Sequence, residues 1–163
     1  MSKTFLPDCE LRTLDCLAHV VIIYLVVVSL SAFFVGVYIL NSVPNLPIIS
    51  TILIGFCGSA IAALTSCLER YANGFERENG QKFPKEEPKD KFNRRFARGL
   101  VVRPFLGAVV APVFIWGLSH FTKNPLEFQS PSETLGFTAF MGGLLAKSVL
   151  ELVKNLFKNV FKA

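Results

Sequence analysis

Residues 17–40 read LAHVVIIYLVVVSLSAFFVGVYIL, 24 positions without one Asp, Glu, Lys or Arg. A helix rises ~1.5 Å per residue, so this run crosses a ~30 Å hydrocarbon layer with length left for tilt. A secretory signal is the competing reading, with Ser29-Leu30-Ser31 as a cleavage site. The run is longer than a signal core, and the segment before it holds three acids against two bases, which favours a retained span.

The rest of the chain repeats the pattern. Of 163 residues 52% are apolar, the mean hydropathy is +0.47, and the charges gather in blocks between uncharged runs. A water-facing surface needs charge dispersed everywhere; blocked charge is membrane-protein composition. Asn45–Leu68 is a second uncharged run, and Leu100–His120 is a third, broken only by Arg103. A fourth starts at Ser130-Pro131-Ser132-Glu133, where Ser130 can cap, Pro131 suits the first helical position and Glu133 completes a capping box. The fold expected is an all-α integral membrane protein with four transmembrane helices.

Lys and Arg in short loops stay on the cytoplasmic side. Lys3 and Arg12 precede the first run, ten bases lie between 69 and 103, and four follow from Lys147, which is 16 of the 17 in the chain. The other two connections hold only Lys123. This split predicts cytoplasmic termini and four parts: a cytoplasmic segment 1–16, a transmembrane hairpin 17–68, a basic cytoplasmic loop 69–99, and a second hairpin 100–163 with a cytoplasmic helical end. With no organelle-targeting signal legible, a bacterial inner membrane is the expected location. Cys9, Cys16, Cys57 and Cys67 fall in or beside cytoplasmic segments or within a span, which argues against a disulfide framework, and their spacing fits no metal site.

In lipid, helices associate where small residues let backbones approach. Gly55 and Ser59 in the second run, Gly107 and Ala111 in the third, and Gly142 and Ala146 in the fourth are the expected packing positions. Pro112 removes a hydrogen bond to Ala108 and predicts a kink, with a hinge as its functional counterpart.

Two regions carry charge that invites a functional reading. In the loop, PKDKFNRRFARG (88–99) reads as an amphipathic helix starting at Pro88 and stopping at Gly99. Phe92 and Phe96 share one face, and Lys91, Arg94, Arg95 and Arg98 the other. Such a helix lies on an anionic leaflet. The same bases, with Arg103, can instead fork onto an anionic ligand such as a nucleotide, or dock an acidic protein.

The second region is the end of the fourth run, expected as one uninterrupted helix over 131–162, about 48 Å long. Counting ~20 residues inward from Glu133 leaves Lys147 and Glu151 within the bilayer, one turn apart and able to pair. Lys154 and Lys158 extend that stripe. It can be a solvated face, a contact between copies, or the lining of a pore built from several copies, since ionisable residues in a membrane face protein or water.

No catalytic constellation is legible. His19 and His120 sit near opposite ends of their spans, and no phosphate- or dinucleotide-binding loop occurs. No enzyme activity, cofactor or metal is expected. The expectation is a homo-oligomeric, pore- or channel-like protein that alters membrane permeability and responds to lipid or an anionic partner at its basic loop. Its architecture suits a holin-like protein or an antiviral membrane effector, without a motif specific to either. The alternative is a non-conducting membrane adaptor that docks a cytoplasmic protein.

Overall fold

The computed structural model describes residues 8–42, 47–76, 91–121, 133–151 and 155. These are helical apart from short connecting pieces: α1 (Asp8–Ser42), α2 (Pro47–Ala72), α3 (Arg94–Phe121) and α4 (Glu133–Leu144). α1, α2 and α3 are each long and apolar enough to cross a membrane. α4 has 12 residues, about 18 Å, which is shorter than the hydrocarbon layer.

α1 starts at Asp8, so most of the segment expected to precede the first span is part of its helix. Its buried positions are Leu14, Ala18, Val21, Leu25, Ser29, Ala32, Gly36 and Leu40, a stripe with steps of three and four. The remaining faces expose Val20, Ile23, Val27, Leu30, Phe34 and Tyr38. One helical stripe packs and the wider apolar surface is left for lipid.

α2 is the hub. It packs against α1, α3 and α4, whereas α1 and α3 meet only sparsely. Small residues on several of its faces permit this. A Cβ at Gly55 would run into the Ala111 methyl and lie 2.9 Å from the Gly107 carbonyl oxygen. A Cβ at Gly143 would land on the Gly55 carbonyl and stand 2.8 Å from the Gly55 Cα. One at Gly107 would strike Ser59, and one at Gly142 would sit 3.0 Å from the Phe114 ring and 3.3 Å from the Ala111 Cα. Around this waist the backbones of α2, α3 and α4 approach as closely as backbones can. Larger side chains fill the ends, with Val21, Leu25, Phe92 and Leu100 at one and Leu40, Ile115 and Leu135 at the other.

Two expected elements differ. The helix expected over 88–99 is not a separate element among its described residues: 91–93 are not helical, and α3 runs unbroken from Arg94 into the apolar span, while 88–90 lie outside the described residues. Asn93 sets the start, accepting a hydrogen bond from the Phe96 amide at 2.8 Å as an N-cap side chain does. Just before it, the Phe92 amide donates to the Gly74 carbonyl at 2.8 Å, and the Glu76 amide donates to the Phe92 carbonyl at 2.9 Å. This single parallel bridge draws Phe92 fully inside and leaves Lys91 only 3% exposed. Lys91 therefore does not share the solvent face of Arg94, Arg95 and Arg98, all exposed.

The expected continuous helix over 131–162 is interrupted. A turn at Leu145 separates α4 from a helical stretch over 146–151. Gly142 and Gly143 immediately precede it, each costing about 1 kcal/mol in a helix relative to Ala, and both are pressed against α2 or α3. Amide-to-carbonyl bonds still run from Leu145 to Met141 (2.9 Å) and from Val149 to Leu145 (3.0 Å), so helical bonding continues on both sides of the turn. α3, by contrast, is helical through both Pro104 and Pro112.

Candidate functional site

On α2, Ser59, Ala62 and Ser66 follow one another at helical spacing and form a stripe of small, partly polar side chains. α3 contributes Arg103 and Leu106, and the segment after the turn contributes Ala146, Lys147, Ser148, Leu150 and Glu151. Together with Leu144 these residues line a cleft of about 290 Å³ between the three helices. The 146–151 segment, just past the turn at Leu145, lines the cleft together with Arg103.

An interhelical hydrogen bond ties two walls of the cleft together. The Ser59 hydroxyl donates to the Arg103 carbonyl at 2.8 Å, so α2 fixes the backbone that carries the guanidinium. Such bonds between membrane helices contribute about 0.6 kcal/mol on average. The Ser66 hydroxyl is turned inward onto its own helix, donating to the Ala62 carbonyl at 3.0 Å.

Arg103 is half-buried, and its guanidinium carbon lies 5.5 Å from the centre of the Phe96 ring. Arg70 stands over the same ring at 4.0 Å. A ring face attracts one cation well; here it gathers two, concentrating positive charge beside the cleft. Across from Arg103, Lys147 Nζ and Glu151 Oε1 are 3.7 Å apart, with side chains 65% and 64% exposed. On a water-facing helix that pair would contribute about 0.3–0.5 kcal/mol. On a membrane helix it marks a face that lipid tails solvate poorly.

A second cluster cross-links the same end of the bundle. Tyr71 Oη donates to Asp15 Oδ1 at 2.8 Å, joining α2 to α1. His19 Nδ1 lies 2.8 Å from the Asp15 carbonyl, and the His19 ring meets the Tyr71 ring edge-on at 5.5 Å. From Tyr71 a run of edge-to-face contacts continues through Phe75, Phe92 and Phe96 at 5.7, 6.1 and 6.1 Å. It ends at the two arginines.

Of the positions singled out in the sequence, Lys147 and Glu151 lie in the cleft with Arg103. Lys154 and Lys158 lie outside the described residues. Arg94, Arg95 and Arg98 are exposed on the first turns of α3, apart from the cleft, and Lys91 is buried before α3 begins. Gly55, Ser59, Gly107, Ala111 and Gly142 meet at the waist, and Ala146 is buried just past the turn. Pro112 is half-buried within α3. Sequence reasoning passed over Arg70, Ser66, Ser148 and the Asp15–Tyr71 bond. The seven-residue spacing of Ser59 and Ser66 was a legible sign that α2 has a polar face.

Among the described residues no three His, Cys, Asp or Glu side chains gather closely enough to hold a metal. The chemistry on offer is charge and hydrogen bonding: two cationic groups, one carboxylate and three serines line a mostly apolar cleft. Compared with known protein families, with curated proteins and with solved structures, the chain matches none.

Proposed function

We propose that this chain is a four-span membrane protein with both termini in the cytoplasm, at home in a bacterial inner membrane, that assembles with copies of itself into a permeability pathway. The cleft of Arg103, Lys147 and Glu151 carries this reading. It is a hydratable strip on a helix bundle that otherwise exposes broad apolar faces, such as Val20, Ile23, Val27 and Phe34 of α1, and such a strip calls for water or a second copy. In an assembly with Lys147 and Glu151 turned towards a shared axis, the pair sets the charge along the pathway. The turn at Leu145 is the point at which the 146–151 segment shifts against Arg103, and the basic end of the bundle responds to an anionic ligand or lipid.

Flux through liposomes containing the purified protein tests this. Wild type is expected to release a small trapped ion. Lys147→Leu is expected to change the rate about tenfold, since one charge in a narrow pore is worth about 1.4 kcal/mol or more. Liposomes that stay sealed with wild type at any protein density would sink the reading. A count of copies per particle is the companion measurement, because a monomer has no axis to line.

The exposed Arg94, Arg95 and Arg98 favour a second reading, a non-conducting adaptor that docks an acidic protein there. Under it, replacing all three by alanine abolishes capture of the partner and Lys147→Leu does nothing.

A further inference from the structure

α1 and α3 both pack on α2 and barely touch each other, which leaves a groove between them of about 340 Å³ on a different side of the bundle from the Arg103 cleft. Its floor is apolar, made by Leu17 and Val21 of α1 and Ala97 and Val101 of α3. Its rim is cationic: Arg94 and Arg98, one turn apart on α3, line it beside Thr13. We propose that this groove binds one anionic phospholipid, an acyl chain lying along the floor and the phosphate held between the two guanidiniums.

Three observations carry the proposal. The first is depth. α3 has 28 residues, about 42 Å, so roughly 12 Å of it extends beyond a ~30 Å hydrocarbon layer. Arg94 and Arg98 occupy its first turn and a half, the level of lipid headgroups, while Val101 and Val21 lie deeper, at the level of the chains. The second is chemistry. Planar guanidiniums at i and i+4 present parallel N–H donors on one face, which suits a phosphate diester better than the single charge of a lysine. Thr13 adds no competing donor, because its hydroxyl is already bonded to the Cys9 carbonyl at 2.7 Å. The third is selectivity within the same helix. Arg95 has the same charge and is exposed, yet it does not line the groove. The inference rests on the membrane reading of the bundle and not on conduction.

The test is native mass spectrometry of the delipidated protein in mild detergent, titrated with phosphatidylglycerol, with phosphatidylcholine of the same chains, and with glycerol 3-phosphate. Wild type is expected to take up one phosphatidylglycerol at least about tenfold more tightly than phosphatidylcholine, consistent with two interfacial bases acting on one phosphate. Arg94→Gln with Arg98→Gln should bring that ratio close to one, and Arg95→Gln should preserve it. Val101→Trp, which fills the floor at constant charge, should weaken uptake of both lipids. Equal uptake of the two lipids by wild type overturns the proposal. So does a loss in Arg95→Gln as large as in the double variant, which would mean diffuse surface charge. Glycerol 3-phosphate displacing phosphatidylglycerol at equal concentration would make this a soluble-anion site and overturn the lipid. No ion flux is read, so failure here and failure of the permeability reading are separate results.

Discussion

α1 and α2 are neighbours in sequence with opposite places in the bundle. α1 is the more apolar of the two, yet 28% of its most apolar stretch is buried in the protein, against 50% for α2. In water that order would be inverted. In a bilayer the tails solvate Val, Ile and Phe as well as a protein interior does, so hydropathy decides whether a helix enters the membrane and not where it stands afterwards. The second choice is made by shape. α2 carries Gly55, Gly58, Ser59, Ala60, Ala62 and Ala63, and neighbouring backbones close around it; α1 carries Val26, Val27, Phe33, Phe34 and Val35 over the matching stretch and holds only one stripe against its neighbours.

The surest way to break this contrast is to give the hub a side chain where it has none. Gly143→Val drives a branched side chain into the Gly55 backbone, which has no rotamer to move aside. Overpacking of this kind costs ~3 kcal/mol or more, and the unfolding midpoint in mixed micelles should fall steeply or the protein should not be recovered folded. Ser59→Ala keeps the volume but removes the bond to the Arg103 carbonyl, so a loss of about 0.6 kcal/mol is expected, together with an altered flux if the cleft conducts. Tyr71→Phe cuts the side-chain bond that joins α2 to Asp15 of α1. Loss of that bond should be seen as earlier hydrogen exchange at the start of α1. Val27→Ala, on the lipid face of α1, should stay within about 0.5 kcal/mol of wild type. A Val27→Ala loss comparable to that of Gly143→Val would mean that α1 also packs on its outer side, against another copy, and the contrast would then hold only for a single chain.

What could be read from the sequence follows the same division. The apolar helices are legible because the signal is an uncharged run long enough to cross, and the small residues of α2 are legible because they are local. Lys147 and Glu151 are four positions apart on one helix, so their proximity needs no tertiary knowledge. The errors arise where a distant partner intervenes. Lys91 has helical spacing with Arg94, Arg95 and Arg98, but the Phe92 bridge to Gly74 and Glu76 unwinds that segment, and Asn93 restarts the helix. The helix through Gly142 and Gly143 looks continuous until α2 is packed against it. Asp15 and Tyr71 are 56 positions apart, and no pattern along a single chain announces that pair. The candidate cleft was half legible for this reason: the spacing of Lys147 and Glu151 is local, whereas Ser59, Ser66 and Arg103 join them only through the fold.

The bridge between Phe75 and Phe92 also makes the chain convenient to re-engineer. Glu76 and Phe92 are clamped together by a backbone bond, so the two points between which the intervening sequence runs are held next to each other. Doubling the length of a flexible insert there costs only about 0.6 kcal/mol of closure entropy. A fluorescent or glycan-accepting cassette spliced into that interval should leave the helices undisturbed and report directly which side of the membrane it faces.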